Sequence, residues 1–223
     1  MLKQLSMVAA VALLCMSTPA SATIVKVEVL GQNYNLGGDT TWKQDKDGAG
    51  PGALTTVDKG YAGSYNIRIN DGPMVQAFCI DLFLGLAVPG TYNHQNIVAP
   101  TSNTLTDMTR VSRAAWIFSD VFPQISALAL QNKTTQQTIA VALQFAMWEV
   151  MVDANSPFNL TEGYFQQESK AGKNNSSTVD YSLVKSLAAT FGSTHQGTVS
   201  TSAANKSVIL VDTGFTGVPG SAP

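Results

Sequence analysis

Two side chains stand out as candidates for chemistry: Cys79, in QAFCIDL, and Gln144, in the middle of the run TTQQTIAVALQFAMWEVMV from Thr134 to Val152. From Ile139 to Trp148 every residue other than Gln144 is apolar. A helix that is hydrophobic all round is a buried one, and a buried carboxamide without partners costs about 1–3 kcal/mol. The sequence therefore demands something to engage Gln144, and the candidate is Cys79. It is the one cysteine that remains if Cys15 leaves with an N-terminal leader. A solitary cysteine in an exported chain has no internal disulfide partner. It is a buried small hydrophobe, a free nucleophile, an intermolecular bridge or half of a covalent adduct.

Other reactive constellations are weaker. A thiol hydrolase would pair Cys79 with a histidine, and the chain has only His94 and His195. His94 lies in a polar stretch that reads as a solvated loop, with no flanking signature of such an enzyme. No nucleophile elbow supports a serine triad. Two histidines and one cysteine have no metal-site spacing, so no metal and no cofactor is expected. Asp81, Asp107, Asp120, Glu149 and Asp153 read as solvent-facing or capping residues. Asp45, Asp47 and Gly48 match the start of a calcium loop, but Thr56 stands where the closing acid should be, which makes this a solvated turn.

The chain must be exported for these arguments to hold, and its first residues read that way. Lys3, the apolar stretch Met7 to Met16 and the small residues Ala20-Ser21-Ala22 form a signal peptide over residues 1–22, with cleavage after Ala22. Leu14 before Cys15 argues against a lipoprotein signal. The expected location is secreted or at the cell surface, with no transmembrane anchor, because the apolar run ending at Val152 is short for a membrane span and carries Gln144 and Glu149. Charged residues are only 13% of the chain, about half the usual share. Thirteen basic residues face 15 acidic ones, and removal of Lys3 leaves 12 against 15, a net −3. Such a weak field gives nucleic acid no long-range attraction. Oligomeric state is not legible.

The elements that must position the pair follow from periodicity. Thr23 to Leu30 alternates as a half-buried strand, and Gly31 to Gly60 reads as loop. Tyr61 to Asn70 and Met74 to Leu82 read as a hairpin turning at Asn70-Asp71-Gly72-Pro73, with Cys79 and Asp81 on one face and Phe78 and Ile80 on the other. A polar connection to about Asp107 precedes a helix through MTRVSRAAWIFSDVF that Pro123 should stop. The Gln144 helix should open with Thr134 and Gln137 as a capping box and end near Asp153. A polar loop over Tyr164 to Ser177, a short helix over Tyr181 to Phe191 and a closing strand over Ser207 to Asp212 follow, then a flexible tail, 213–223. Strands at both ends with helices between predict one α+β domain over 23–212: a β-sandwich or barrel with an α-helical insertion at about 108–152. Five Asn-x-Ser/Thr sites read as chance sequons.

Two segments carry a family resemblance. FCIDLFLGLAVPGTY, Phe78 to Tyr92, resembles the aromatic-Cys-hydrophobic-Asp motif that opens bacterial thioester domains of surface adhesins. LQFAMWEV, Leu143 to Val150, is similar to that family's second motif, a hydrophobic residue before Gln-x-Ala-hydrophobic-Trp. AAWIFSDVFP between them resembles the intervening helix. The likeness covers roughly a third of the chain, Phe78 to Val152. It implies an internal thioester, with Cys79 giving the sulfur and Gln144 the acyl carbon, Phe78 and Trp148 walling the bond from water, and Asp81 orienting the thiol. The implied partner is an amine-bearing protein or matrix surface, coupled once and covalently, so the domain would not be an enzyme. No cell-wall sorting motif is evident after it. Two alternatives stay open: a non-reactive extracellular matrix or surface-binding domain, and a Cys79–His94 hydrolase.

Overall fold

The computed structural model describes residues 8–11, 23–44, 57–80, 88–98, 108–127, 132–153, 158–168 and 179–212. Asp81, the calcium-like turn at 45–56 and the tail 213–223 lie outside them. In chain order the elements are strands β1 (Val8–Val11), β2 (Thr23–Gln44), β3 (Val57–Ile69), β4 (Met74–Cys79) and β5 (Gly90–Val98), helices α1 (Met108–Ala127) and α2 (Lys133–Val152), strand β6 (Phe165–Gln167), helices α3 (Tyr181–Thr194) and α4 (Thr201–Ala204), and strand β7 (Val208–Asp212). The class is mixed α+β.

Five antiparallel strands in the order β4-β3-β2-β5-β7 make the main sheet, which is open between β4 and β7. In that opening lies β1, antiparallel to both neighbours. β6 adds to the far end of β2, with Trp42 opposite Gln167. The strand expected at Thr23 to Leu30 continues to Gln44, correcting the loop expected from Gly31. Irregular register between Val29 and Gly37 lets one long strand bend enough to pair with β3 along both halves. Gly63 makes the bend fit: at φ +137° a Cβ there would lie 2.4 Å from the Leu36 carbonyl oxygen. The β3–β4 hairpin forms as the turn residues predict, with Asn70 and Asp71 at φ 48° and 58°. β5 (Gly90–Val98) stands where the side-chain pattern predicts a polar connection. Its side chains hide it: Tyr92, Asn93, His94 and Gln95 show no apolar alternation, yet the backbone pairs with both β2 and β7.

The sheet buries two faces. Toward the helices, Trp42, Ala62, Phe78 and Ile80 pack with α1, α2 and α3 in one core. On the other face Val25, Val27, Val29, Tyr61, Tyr65, Ile67, Ala77, Cys79 and Leu210 form a second. On α1, Val111, Ala114, Ala115, Phe118 and Val121 are buried at helical spacing. Pro123 does not stop the helix. Its ring is exposed, and the fully buried Ile125 beyond it holds the last turn to Ala127 in place. α2 is buried from Gln136 to Met151 except at the half-buried Ile139. Its N-cap is Asn132, whose side chain accepts from the Thr134 amide at 2.9 Å, in place of the expected Thr134–Gln137 box. Gln137 is drawn away because its amide donates to the Tyr34 carbonyl.

Candidate functional site

Strand alternation dictates how β4 meets α2. Phe78 and Ile80 point to the helices, and the Cys79 side chain joins the opposite core. What Cys79 offers α2 is its carbonyl. Gln144, wholly buried, donates from Nε2 to the Cys79 oxygen at 2.6 Å. Trp148, one turn further along α2, donates from Nε1 to the same oxygen at 2.9 Å. Positions four apart on a helix share a face, so the two donors close on one acceptor and use both its lone pairs. The carboxamide oxygen of Gln144 has no hydrogen-bond partner.

Aromatic rings enclose this junction. Trp42 packs on Trp148 with ring centroids 5.1 Å apart, and Phe145 lies edge-on to Phe165 at 5.5 Å. Phe78 meets Phe118 at 5.6 Å. On the other face the thiol of Cys79 is buried beside Tyr65, whose phenol is pushed far up by burial first and by the neighbouring Cys79 second. Sequence pattern therefore picked out Cys79, Gln144, Phe78 and Trp148, and the fold gathers all four. The Gln144 contact is to the backbone of Cys79, with the thiol turned to the far side of the strand. Trp42 was missed, since nothing in a long polar-looking segment marks it as a neighbour of Trp148.

Of the two acids at the C-terminal end of α2, one departs from its expected place and one keeps it. Glu149 is not solvent-facing: it is 2% exposed, and burial pushes its carboxyl up to about 8. Its Oε1 accepts from the Asn159 amide at 3.1 Å, and Oε2 has no partner. Asp153 does cap α2, and its carboxylate accepts from the Tyr164 and Phe165 amides at 2.8 and 3.0 Å. Together they fix the segment that carries Phe165 onto Phe145 and Trp148. Acids four apart at the end of an apolar helix were the available signal.

His94 sits within β5, not in a loop. His195 is 4% exposed at the end of α3, with Nδ1 against the Phe191 carbonyl at 2.6 Å and Nε2 3.2 Å from Asp120 on α1. These contacts tie two helices together. Among the described residues no group of three or more His, Cys, Asp and Glu is placed to hold a metal ion. Among them, too, no helix is long and apolar enough to cross a membrane. No protein-family model, curated protein or solved structure matches the chain.

Proposed function

We propose that Cys79 and Gln144 join in an internal thioester, and that the exported domain uses it to couple covalently to amines on a partner protein or matrix surface. The observation that carries this reading is the 2.6 Å contact from the Gln144 carboxamide to Cys79 itself, across 65 residues of chain, in a buried and aromatic-walled site. Sγ lies only a few covalent bonds from the contacted carbonyl. Bond formation requires the end of β4 to turn about its own axis, which brings the sulfur from the opposite core round to the Gln144 Cδ.

The balance is simple. The thiol sulfur attacks Cδ, the C–N bond breaks, and the amide nitrogen takes up the thiol proton and leaves as ammonia. An incoming amine then attacks Cδ, the C–S bond breaks, and sulfur recovers a proton, giving a substituted amide at Gln144 and a thiol at Cys79. Enforced proximity substitutes for the activation that a free amide would need, and the rings around Trp148 keep water from the acyl carbon. The reaction happens once per chain, so the protein acts as a crosslinker rather than a catalyst.

A second reading has its own observation. The thiol packs among Val25, Val27 and Leu210, away from α2, which suits a non-reactive binding domain in which Gln144 and Trp148 merely clamp β4. Intact mass separates the two. The thioester makes the protein lighter than its sequence by one ammonia, a deficit abolished in Cys79→Ala and in Gln144→Ala, and methylamine adds its whole mass, leaving the protein one methylene heavier than its sequence while releasing one titratable thiol. Full sequence mass in freshly purified protein, with the thiol titratable from the start, refutes the thioester and leaves the clamp.

A further inference from the structure

The main sheet lacks one strand's width between β4 and β7, and β1 supplies it. Ala9 stands opposite Cys79 on one side and Leu210 on the other, Ala10 opposite Phe78 and Ile209, and Val11 opposite Ala77 and Val208. Among the described residues no pairing links β4 to β7 directly. With β1 withdrawn, the two edges stand two strand spacings apart, roughly 9.6 Å, too far for ladder hydrogen bonds. Such facing edges are a template for a strand from elsewhere.

β1 is also the part of the sheet least bound to stay. Its residues, Val8-Ala9-Ala10-Val11, are the centre of the stretch that reads as an export leader, and cleavage after Ala22 would cut its covalent tie to β2. The gap has clear demands. Its central register positions fall beside Cys79 and Leu210, and beside Phe78, all buried apolar residues. A charged or large polar residue there would be desolvated without a partner, whereas small apolar residues fit on both faces.

We propose that the gap between β4 and β7 is a strand-acceptor site for an extended segment of small apolar residues, of the Val-Ala-Ala-Val kind, presented by another polypeptide once the leader strand is released. The site binds antiparallel to both edges and takes its affinity from main-chain bonds on two sides. Its opening rests on the leader reading, and it does not depend on the thioester.

The test uses the full chain and its Ala9→Pro/Ala10→Pro variant, which cannot donate ladder bonds at the two central positions. The probe is a labelled synthetic peptide with the sequence of residues 7–13 and added terminal lysines. The variant is expected to bind it saturably and at least tenfold more tightly than the parent chain, whose own β1 competes. A peptide with Lys at both alanine positions should not bind. Hydrogen exchange should show β4 and β7 amides losing protection in the variant and regaining it with peptide. A folded variant that ignores the peptide, or that keeps β4 and β7 fully protected without it, overturns the proposal, the latter by showing that the edges close on each other. Should the proline variant fail to fold, a full chain with a protease site in place of residues 17–22 decides. After cleavage the labelled peptide must displace the native strand, and failure to do so in a folded chain refutes the site.

Discussion

Gln144→Met gives opposite signs for the two readings of the site. Methionine nearly matches glutamine in volume, so little cavity term arises, and the Cys79 carbonyl keeps Trp148 as a donor. If no bond exists, the change loses one neutral hydrogen bond, worth about 1 kcal/mol. It also removes a buried oxygen without a partner, a relief of about 1–3 kcal/mol. The variant is then as stable as the parent or up to ~2 kcal/mol more so. If the thioester exists, the Gln144 nitrogen has already left, so no hydrogen bond is lost, and the change instead opens a crosslink between residues 65 apart. Loop-closure entropy for that length is about 4 kcal/mol, so the balance turns to a net loss of about 1–3 kcal/mol. In a domain of this size that is a melting shift of ~2–10 °C. Thermal unfolding of parent and variant, followed by circular dichroism at one pH and heating rate, reads the difference. A variant that melts at or above the parent refutes the bond, whatever its mass spectrum suggests.

Glu149 should make stability fall as pH rises. Its carboxyl titrates near 8 in the fold against 4.5 when exposed, so the folded state holds a proton that the unfolded state has lost throughout that window. Stability from this group is full below the exposed value and declines by up to about 1.4 kcal/mol per pH unit toward the folded value. Urea midpoints measured from pH 5 to 8 should drop in the parent and stay flatter in Glu149→Gln; equal slopes would show that the carboxyl is solvated. Gly63→Ala places a Cβ 2.4 Å from the Leu36 carbonyl oxygen at positive φ, and should cost about 1–3 kcal/mol, visible as a lowered denaturant midpoint with an unchanged m-value; an unaltered midpoint would mean that β2 and β3 separate freely there. Trp148→Phe removes one of two donors to the Cys79 carbonyl and part of the Trp42 contact. A loss of about 1–3 kcal/mol is expected in the same assay, and no loss would place Trp148 outside the core.

The sequence by itself determined the local pieces. Alternation marked the start of β2 and the β3–β4 hairpin, and Asn70 and Asp71 supplied the left-handed turn it needs. Helical spacing marked α1, the unbroken apolar run marked α2, and the lone amide in that run marked Gln144 as a residue in need of a partner. Those are short-range matters of propensity and period. Where long-range packing outweighs propensity, the pattern failed: β5 is held by backbone pairing with β2 and β7 despite polar side chains, α1 runs through Pro123 because Ile125 is buried beyond it, and Glu149 is carried inside by the rest of α2. Only the tertiary structure decided that Gln144 and Trp148 converge on one carbonyl of β4, and that the Cys79 thiol faces the opposite core. A residue's partner across 65 positions depends on how helix and sheet dock, and on which side of the strand the pleat turns the side chain. Neither is written in the residues of either segment alone.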